Sequence, residues 1–275
     1  MAAGETILVF DSGLGGLTVY REIAKVRPQA NFLYVADDAA FPYGAMDEAT
    51  LSARVVKLMD ELIAAHAPDL VVIACNTAST IVLPVLRLKF KQPFVGTVPA
   101  IKPACANSQT KRISVLGTEA TVAREYTRAL IRDYAQQCDV TLVGSNKLAG
   151  YAEAELAGTP ANDEALLAEI GACFRDGAAR TDTIVLACTH YPLLIERLRR
   201  LAPWQVAFVD PAPAIARRVG ELLGAGASAA GPASQAGTTR VIFTSGRPPA
   251  AALARFGIVA ATAVAADQSA PRCGP

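Results

Sequence analysis

Two cysteines stand in matching surroundings: Cys75 in LVVIACNT (Leu70 to Thr77) and Cys188 in TIVLACTH (Thr183 to His190). Each ends a short apolar run of buried-strand character, at the carboxyl end, where open α/β sheets hold their ligands. If two halves of one chain close on a small molecule, the two sulfurs meet it from opposite faces. That arrangement can invert a carbon stereocentre, because one thiolate removes the proton and the opposite thiol returns one. An unperturbed thiol ionises near pH ~8.5, so a thiolate base needs donors, a helix N-terminus or an acid/base partner beside it. Both cysteines are read as preceding helices, and Asn76, Thr77, Thr189 and His190 supply hydrogen-bonding groups. A single strand-end cysteine is commonly an inert buried residue; the duplicated pair with polar followers favours chemistry. Cys105, Cys138, Cys173 and Cys273 lack that context and read as structural.

Of the two histidines, His190 follows Cys188 by two residues and suits the tuning of a thiol near neutral pH. His66 continues the stripe Leu51, Val55, Leu58, Leu62 and reads as a helix-face residue. The loop DSGLGGLTV (Asp11 to Val19) follows a strand and opens a helix, and its glycines let backbone N–H groups approach an anion. Its spacing is not the G-x-G-x-x-G of a dinucleotide site. As a cradle for a zwitterion it sets Asp11 near an ammonium and Ser12 near a carboxylate. FPYG (Phe41 to Gly44) reads equally as a site segment or a tight turn.

The elements that position these residues alternate along the chain. Strands are expected at Ile7 to Phe10, Phe32 to Ala36, Leu70 to Ala74 and Phe94 to Thr97, with helices beginning near Leu17, Asp47 and Ser79. After Val98-Pro99 come strands Ile113 to Leu116, Val140 to Val143, Thr183 to Leu186 and Val206 to Val209. Helices lie between them at Thr121 to Tyr134, near Ala149 and Asn162, and at Leu193 to Leu201. A strand at Val241 to Phe243 and a short helix follow. This alternation predicts α/β architecture with parallel sheets. A weak repeat points to two similar halves: Ile7 to Glu22 resembles Ile113 to Glu125, as the Cys75 block resembles the Cys188 block. Gly224 to Gly237 contains only small residues and Gln besides Pro, and reads as a loop.

With 275 residues, 26 Lys+Arg against 25 Asp+Glu and 52% hydrophobic residues, the chain is large enough for one or two globular domains and carries no basic footprint. Nucleic acid is not expected as a partner. No run of 18 apolar residues suggests a membrane span, and MAAGETILVF has no signal-peptide pattern, so a cytoplasmic protein is expected. The cysteine spacing fits no zinc site, and disulfides are not expected in that compartment.

Taken together, VFDSGLGGLTV, FPYG, IACNTAS (Ile73 to Ser79), VLGTEATV (Val115 to Val122) and LACTHYPLL (Leu186 to Leu194) resemble the glutamate racemases of the aspartate/glutamate racemase superfamily. The blocks run in order from Ile7 to FTSG (Phe243 to Gly246). The resemblance implies two open α/β domains, pseudo-twofold related and facing each other across a cleft, with residues 1–98 plus 210–275 in one and 99–209 in the other. It implies catalysis without cofactor or metal, Cys75 exchanging the α-proton on the D-glutamate side and Cys188 on the L-glutamate side. Asp11, His190 and Glu153 are implied as groups assisting the thiols, with Glu155 of the same YAEAELAG segment as the alternative carboxylate. Ser12, Pro42, Tyr43, Gly44, Asn76, Thr77, Thr118, Thr121 and Thr189 match substrate-contact positions. The implied product is D-glutamate for peptidoglycan, and relatives often form homodimers.

Without an electron sink the carbanion must be stabilised by preorganised donors around the α-carboxylate. None of the quoted blocks contains Lys or Arg. Rival readings are a sister isomerase acting on aspartate or a hydantoin, and a small-acid binding protein that needs neither thiol. A pyridoxal phosphate enzyme could use Lys102 or Lys147, but nothing around them forms a phosphate cup.

Overall fold

The computed structural model describes residues 4–224 and 237–258. Cys273, the C-terminal tail and all but the end residues of the expected Gly224 to Gly237 loop lie outside them. The first part of the chain runs β1 (Thr6–Asp11), α1 (Leu17–Val26), β2 (Asn31–Ala36), α2 (Glu48–His66), β3 (Leu70–Ile73), α3 (Asn76–Lys89), β4 (Phe94–Gly96) and α4 (Ile101–Asn107). There follow β5 (Arg112–Gly117), α5 (Glu119–Ala123), α6 (Glu125–Tyr134), β6 (Asp139–Gly144), α7 (Leu148–Ala157), α8 (Asp163–Ile170), β7 (Thr183–Ala187) and α9 (Ile195–Leu201). The described part closes with β8 (Ala207–Val209), α10 (Ala212–Leu223), β9 (Thr239–Phe243) and α11 (Ala250–Ala254).

All strand pairs are parallel and form two sheets, ordered β4-β3-β1-β2-β9 and β6-β5-β7-β8. Read from its other edge, the second sheet is β8-β7-β5-β6, the order β4-β3-β1-β2 of the first with the later strands substituted. The sequence repeat is therefore a repeat of topology. Both faces of each sheet are covered, which explains the unbroken apolar runs: Ile7 and Val9 of β1 enter one core cluster, Leu8 and Phe10 the opposite one.

Register places the chemistry. Phe10 pairs with Ile73, so Asp11 and Ser12 leave the first sheet beside the exit of Cys75. In the second, Gly117 pairs with Ala187, so Thr118 leaves beside Cys188. These four strands present their carboxyl ends to one cleft between the halves.

Several elements differ from the expectations. The helix foreseen at Thr121 to Tyr134 is broken at Arg124, whose extended ψ of 142° separates α5 from α6. Helices α4 and α10 were not anticipated; each contains proline, which obscures a helical pattern. Helix α3 begins at Asn76, three residues before the expected Ser79. Cys188 precedes no α-helix but a turn and then a 3₁₀ segment, Tyr191–Leu194. In α2, Asp47 caps the N-terminus by accepting from the Thr50 amide, and the buried stripe is Leu51, Val55, Met59, Leu62, with Leu58 only partly covered. His66 is the last residue of that helix and half-buried, away from the cleft.

Candidate active site

Cys75 and Cys188 line one cavity from opposite halves, at 6% and 7% exposure. Cys75 sits directly before α3, and its thiol donates to Ser12 Oγ at 3.8 Å. Burial pushes this thiol well above its usual range, the Asp11 charge adds to that, and the Ala78 amide at the helix N-terminus pulls back. Cys75 is thereby held as the protonated thiol.

Cys188 has a different environment. Its sulfur lies 3.9 Å from His190 Nδ1, and His190 Nε2 lies 2.8 Å from Glu153 Oε1. Burial opposes the imidazolium, but Cys188, Glu153 and Asp11 outweigh it and raise the His190 pKa well above its ordinary value. In that form Nδ1–H faces the sulfur and Nε2–H the carboxylate, with the Gly15 amide nitrogen 3.3 Å from the same Nε2. Thiol, imidazole and carboxylate thus form a base, its partner and an orienting group. The two carboxylates left open by the sequence separate here: Glu153 holds His190, whereas Glu155 accepts from Arg197 at 2.9 Å.

The glycine loop does not act as an anion cradle. The Ser12 amide donates to Asp11 Oδ1 at 2.7 Å, the Gly16 amide to Asp11 Oδ2, and the Leu14 amide to Glu153 Oε1 at 2.7 Å. The loop's donors thus turn to the protein's own side chains, two carboxylates and, from the Gly15 amide at 3.3 Å, His190 Nε2, and Tyr34 pins the loop by donating to the Gly13 carbonyl at 2.6 Å. Asp11 is fully buried, does not line the cavity, and also accepts from Thr189 Oγ1 of the other half at 3.3 Å. Burial moves its carboxyl above the usual range while His190 and the two amides draw it back. Its influence on Cys75 is through charge rather than contact.

The remaining predicted residues gather around the thiols. Ser12, Pro42, Tyr43, Gly44, Asn76, Thr77, Thr118, Thr189 and His190 line the cavity; Thr121 and Glu153 stand behind it. Thr77 reaches across the halves to Thr118 (3.2 Å) and Thr121 (3.3 Å), which are 2.9 Å apart, so three hydroxyls form one cluster. Asn76 is 2% exposed and its Nδ2 has no hydrogen-bond partner. An orphaned buried amide at a cavity wall is a donor kept for a ligand. Tyr43 takes part through its backbone and ring, because its hydroxyl donates to Asp37 at 2.5 Å and Asp37 is clamped by Arg54. Phe41 and Ala149 also line the cavity, and neither was a sequence candidate. The Phe41 ring lies 5.3 Å from the His190 ring; the apolar residue opening FPYG was the available signal, while Ala149 had none. Lys102 and Lys147 lie elsewhere, and among the described residues no Lys or Arg lines this cavity.

The cavity measures about 20 Å³, room for a water but not for an amino acid. The halves must therefore part to admit a ligand. Free protein in solution is expected to be more expanded than this closed form and to compact on adding glutamate, as read by X-ray scattering; superimposable curves at saturating ligand would count against domain closure.

The family model for Asp/Glu/hydantoin racemases matches residues 7–219. Glutamate racemase of Brucella ovis is 53% identical over 225 residues, covering 81% of each chain, and that of Agrobacterium fabrum 50% over 244 residues, covering 88% of each. Among solved structures, Escherichia coli glutamate racemase in complex with L-glutamate and the activator UDP-MurNAc-Ala matches with a TM-score of 0.83 and 39% identity, over 92% of this chain and 96% of that one.

Proposed function

This chain belongs to the Asp/Glu/hydantoin racemase family, and on that premise we propose that it interconverts L- and D-glutamate without a cofactor, by proton transfer between two thiols. The observation that carries the reading is the pair Cys75 and Cys188, delivered by equivalent strand ends of two halves to one closed cavity. The resting site is asymmetric. Cys75 is held as a thiol, whereas Cys188 has the His190 ring 3.9 Å from its sulfur as an acid/base partner. It is thus set to take L-glutamate: Cys188 removes the α-proton, Cys75 delivers its own to the opposite face, and the pair ends with protonation reversed. Glu153 orients His190 through Nε2, and Asp11 fixes the glycine loop against Thr189.

Charge developing on the α-carboxylate is met by dipoles. Asn76 Nδ2, which has no protein partner, and the Ser12 hydroxyl, which accepts from Cys75 and keeps its own hydrogen, are the donors within reach of that group in the cavity. In a small, closed site such oriented groups stabilise the transition state without reorganisation. The division into residues 1–98 with 210–275 and 99–209 is supported by the two sheets, which β1–β4 with β9 and β5–β8 form separately. D-glutamate made in this way supplies peptidoglycan synthesis in the cytoplasm; among the described residues no helix is long and apolar enough to cross a membrane.

The test is incubation with L-glutamate in D₂O. Optical activity should decay as α-deuterium washes in, for the parent and not for the Cys75→Ser/Cys188→Ser double variant. A folded parent that exchanges neither glutamate nor aspartate defeats the reading; exchange of aspartate alone shifts it to a sister isomerase.

The reading also sets a pH dependence. The raised His190 pKa means that its charge, and the stability it contributes, is fully present below about 6.5 and is lost as pH rises through the higher folded value. The kcat for L-glutamate is expected to fall along an alkaline limb lying well above pH ~6.5, and His190→Asn should displace that limb. An unshifted limb would place the titration elsewhere.

A further inference from the structure

The cavity has no Lys or Arg in its wall and its one cationic group, His190, is engaged by Cys188 and Glu153, yet the ligand it is read to take is a net anion, and Asp11 and Glu153 already place negative charge behind the thiols. A cation outside the cavity would assist the entry of that anion. Arg124 stands at the break between α5 and α6, directly after the helix whose capping residue, Thr118, lines the cavity. It bonds Glu48, the first residue of α2, on the other half. Glu48 in turn follows the Tyr43–Ala45 turn, whose Tyr43 and Gly44 line the cavity; a Cβ on Gly44 would lie 3.5 Å from Thr118. The pair therefore bridges the rim where Gly44 meets Thr118.

The two partners are unequally buried. The Arg124 side chain is 12% exposed and its Nε is buried without a hydrogen-bond partner, whereas Glu48 is 71% exposed. A guanidinium left with an unused donor is a poor structural tie, since burial of such a group is favourable only when its donors are met. It is a suitable receptor for a carboxylate, which it can hold through two donors. Because Glu48 and Arg124 belong to different halves, parting of the halves would separate them and free the guanidinium at the mouth of the cleft.

We propose that Arg124 receives the side-chain carboxylate of glutamate at the mouth of the open cleft, and that on closure Glu48 takes the guanidinium back while the carboxylate passes to the Thr77 and Thr118 hydroxyls, which Thr121 backs. This rests on the glutamate reading above. The exchange explains how a cavity without Lys or Arg can still select a dicarboxylic acid: the guanidinium acts during capture and is withdrawn before the thiols react. Glu48, being a carboxylate itself, competes with the ligand for one partner and times its release.

Capture by charge is a salt-dependent rate effect. In the intact protein kcat/KM for glutamate should fall as ionic strength rises. Arg124→Gln should lower it about tenfold at low salt and flatten the dependence, Arg124→Lys should keep the slope, and Glu48→Gln should raise kcat/KM at low salt by freeing the guanidinium. Parallel salt slopes in the parent and Arg124→Gln overturn the proposal. So does a loss in Glu48→Gln as large as that in Arg124→Gln, which would make the pair a structural tie. Should Arg124→Gln not fold, Glu48→Gln still decides by the sign of its change. A parent that does not exchange the glutamate α-proton refutes the racemase reading itself, a separate outcome from either.

Discussion

Replacing either Cys75 or Cys188 by serine is expected to cut racemisation by at least about 10²-fold, because each change removes one of two proton-transfer partners from a reaction that needs both. A serine hydroxyl fits the space of the thiol, but it is far less acidic and a far weaker carrier of the proton at neutral pH. Both directions must fall together for either variant. Enantiomers have equal free energies, so kcat/KM for L- and D-glutamate remain tied whatever the site becomes; only kcat and KM can shift separately. Serine at Cys105, Cys138 or Cys173 is the control. Cys105 and Cys138 meet on an outer hollow of the four-stranded half, where the Cys138 thiol approaches the Cys105 carbonyl at 3.9 Å, and Cys173 is wholly buried in that half's core. Their variants should turn over within about twofold of the parent, with Cys173→Ser losing about 1–3 kcal/mol of stability for a buried hydroxyl. A folded Cys105→Ser protein without activity would show that the wrong thiols have been chosen.

How far the sequence reached depends on how local each feature is. The strands that carry the cysteines were legible because both faces are covered, which forces an unbroken apolar run ending at the site. The thiols, His190 and the hydroxyls follow those strand ends within a few residues, so position along the chain was enough to find them. What the sequence could not show were contacts made across long separations. The amides of DSGLGG looked free for a ligand because their partners, Asp11 apart, are Glu153 in α7 and His190, both more than a hundred residues away. The choice between Glu153 and Glu155 was hidden for a related reason: in AEAELA the one large apolar residue, Leu156, is too little to orient the helix. Tyr43 was matched to a substrate-contact position with no sign that its hydroxyl is taken by Asp37, itself held by Arg54. The break at Arg124 leaves no mark in TVAREYTRAL, whose residues all suit a helix; tertiary contact with Glu48 accompanies it.

Gly15→Ala is expected to lower kcat/KM by about 10²-fold or more while leaving the melting temperature nearly unchanged. A Cβ at Gly15 would stand 2.5 Å from His190 Nδ1, 2.7 Å from the His190 backbone nitrogen and 2.7 Å from Thr189 Oγ1. Gly15 is not among the residues with positive φ, so the glycine is required by close approach and not by backbone conformation. Neither neighbour can yield cheaply. His190 is 3% exposed, held by Glu153 at 2.8 Å and packed on Phe41, and its backbone nitrogen cannot move without moving the turn that carries Cys188. The clash is between halves, however, and an open protein does not feel it. Each half should fold as before, and the cost should fall on closure, where the thiols are brought to the ligand from both sides. A misplacement of about 1 Å at that stage is enough to remove two orders of magnitude from a proton transfer. Thermal melts, steady-state kinetics and scattering with saturating glutamate together check the expectation: an unchanged melt, a collapsed kcat/KM and no compaction. A variant that melts normally and racemises like the parent would mean that the closed arrangement of His190 against the glycine loop is not the form that reacts.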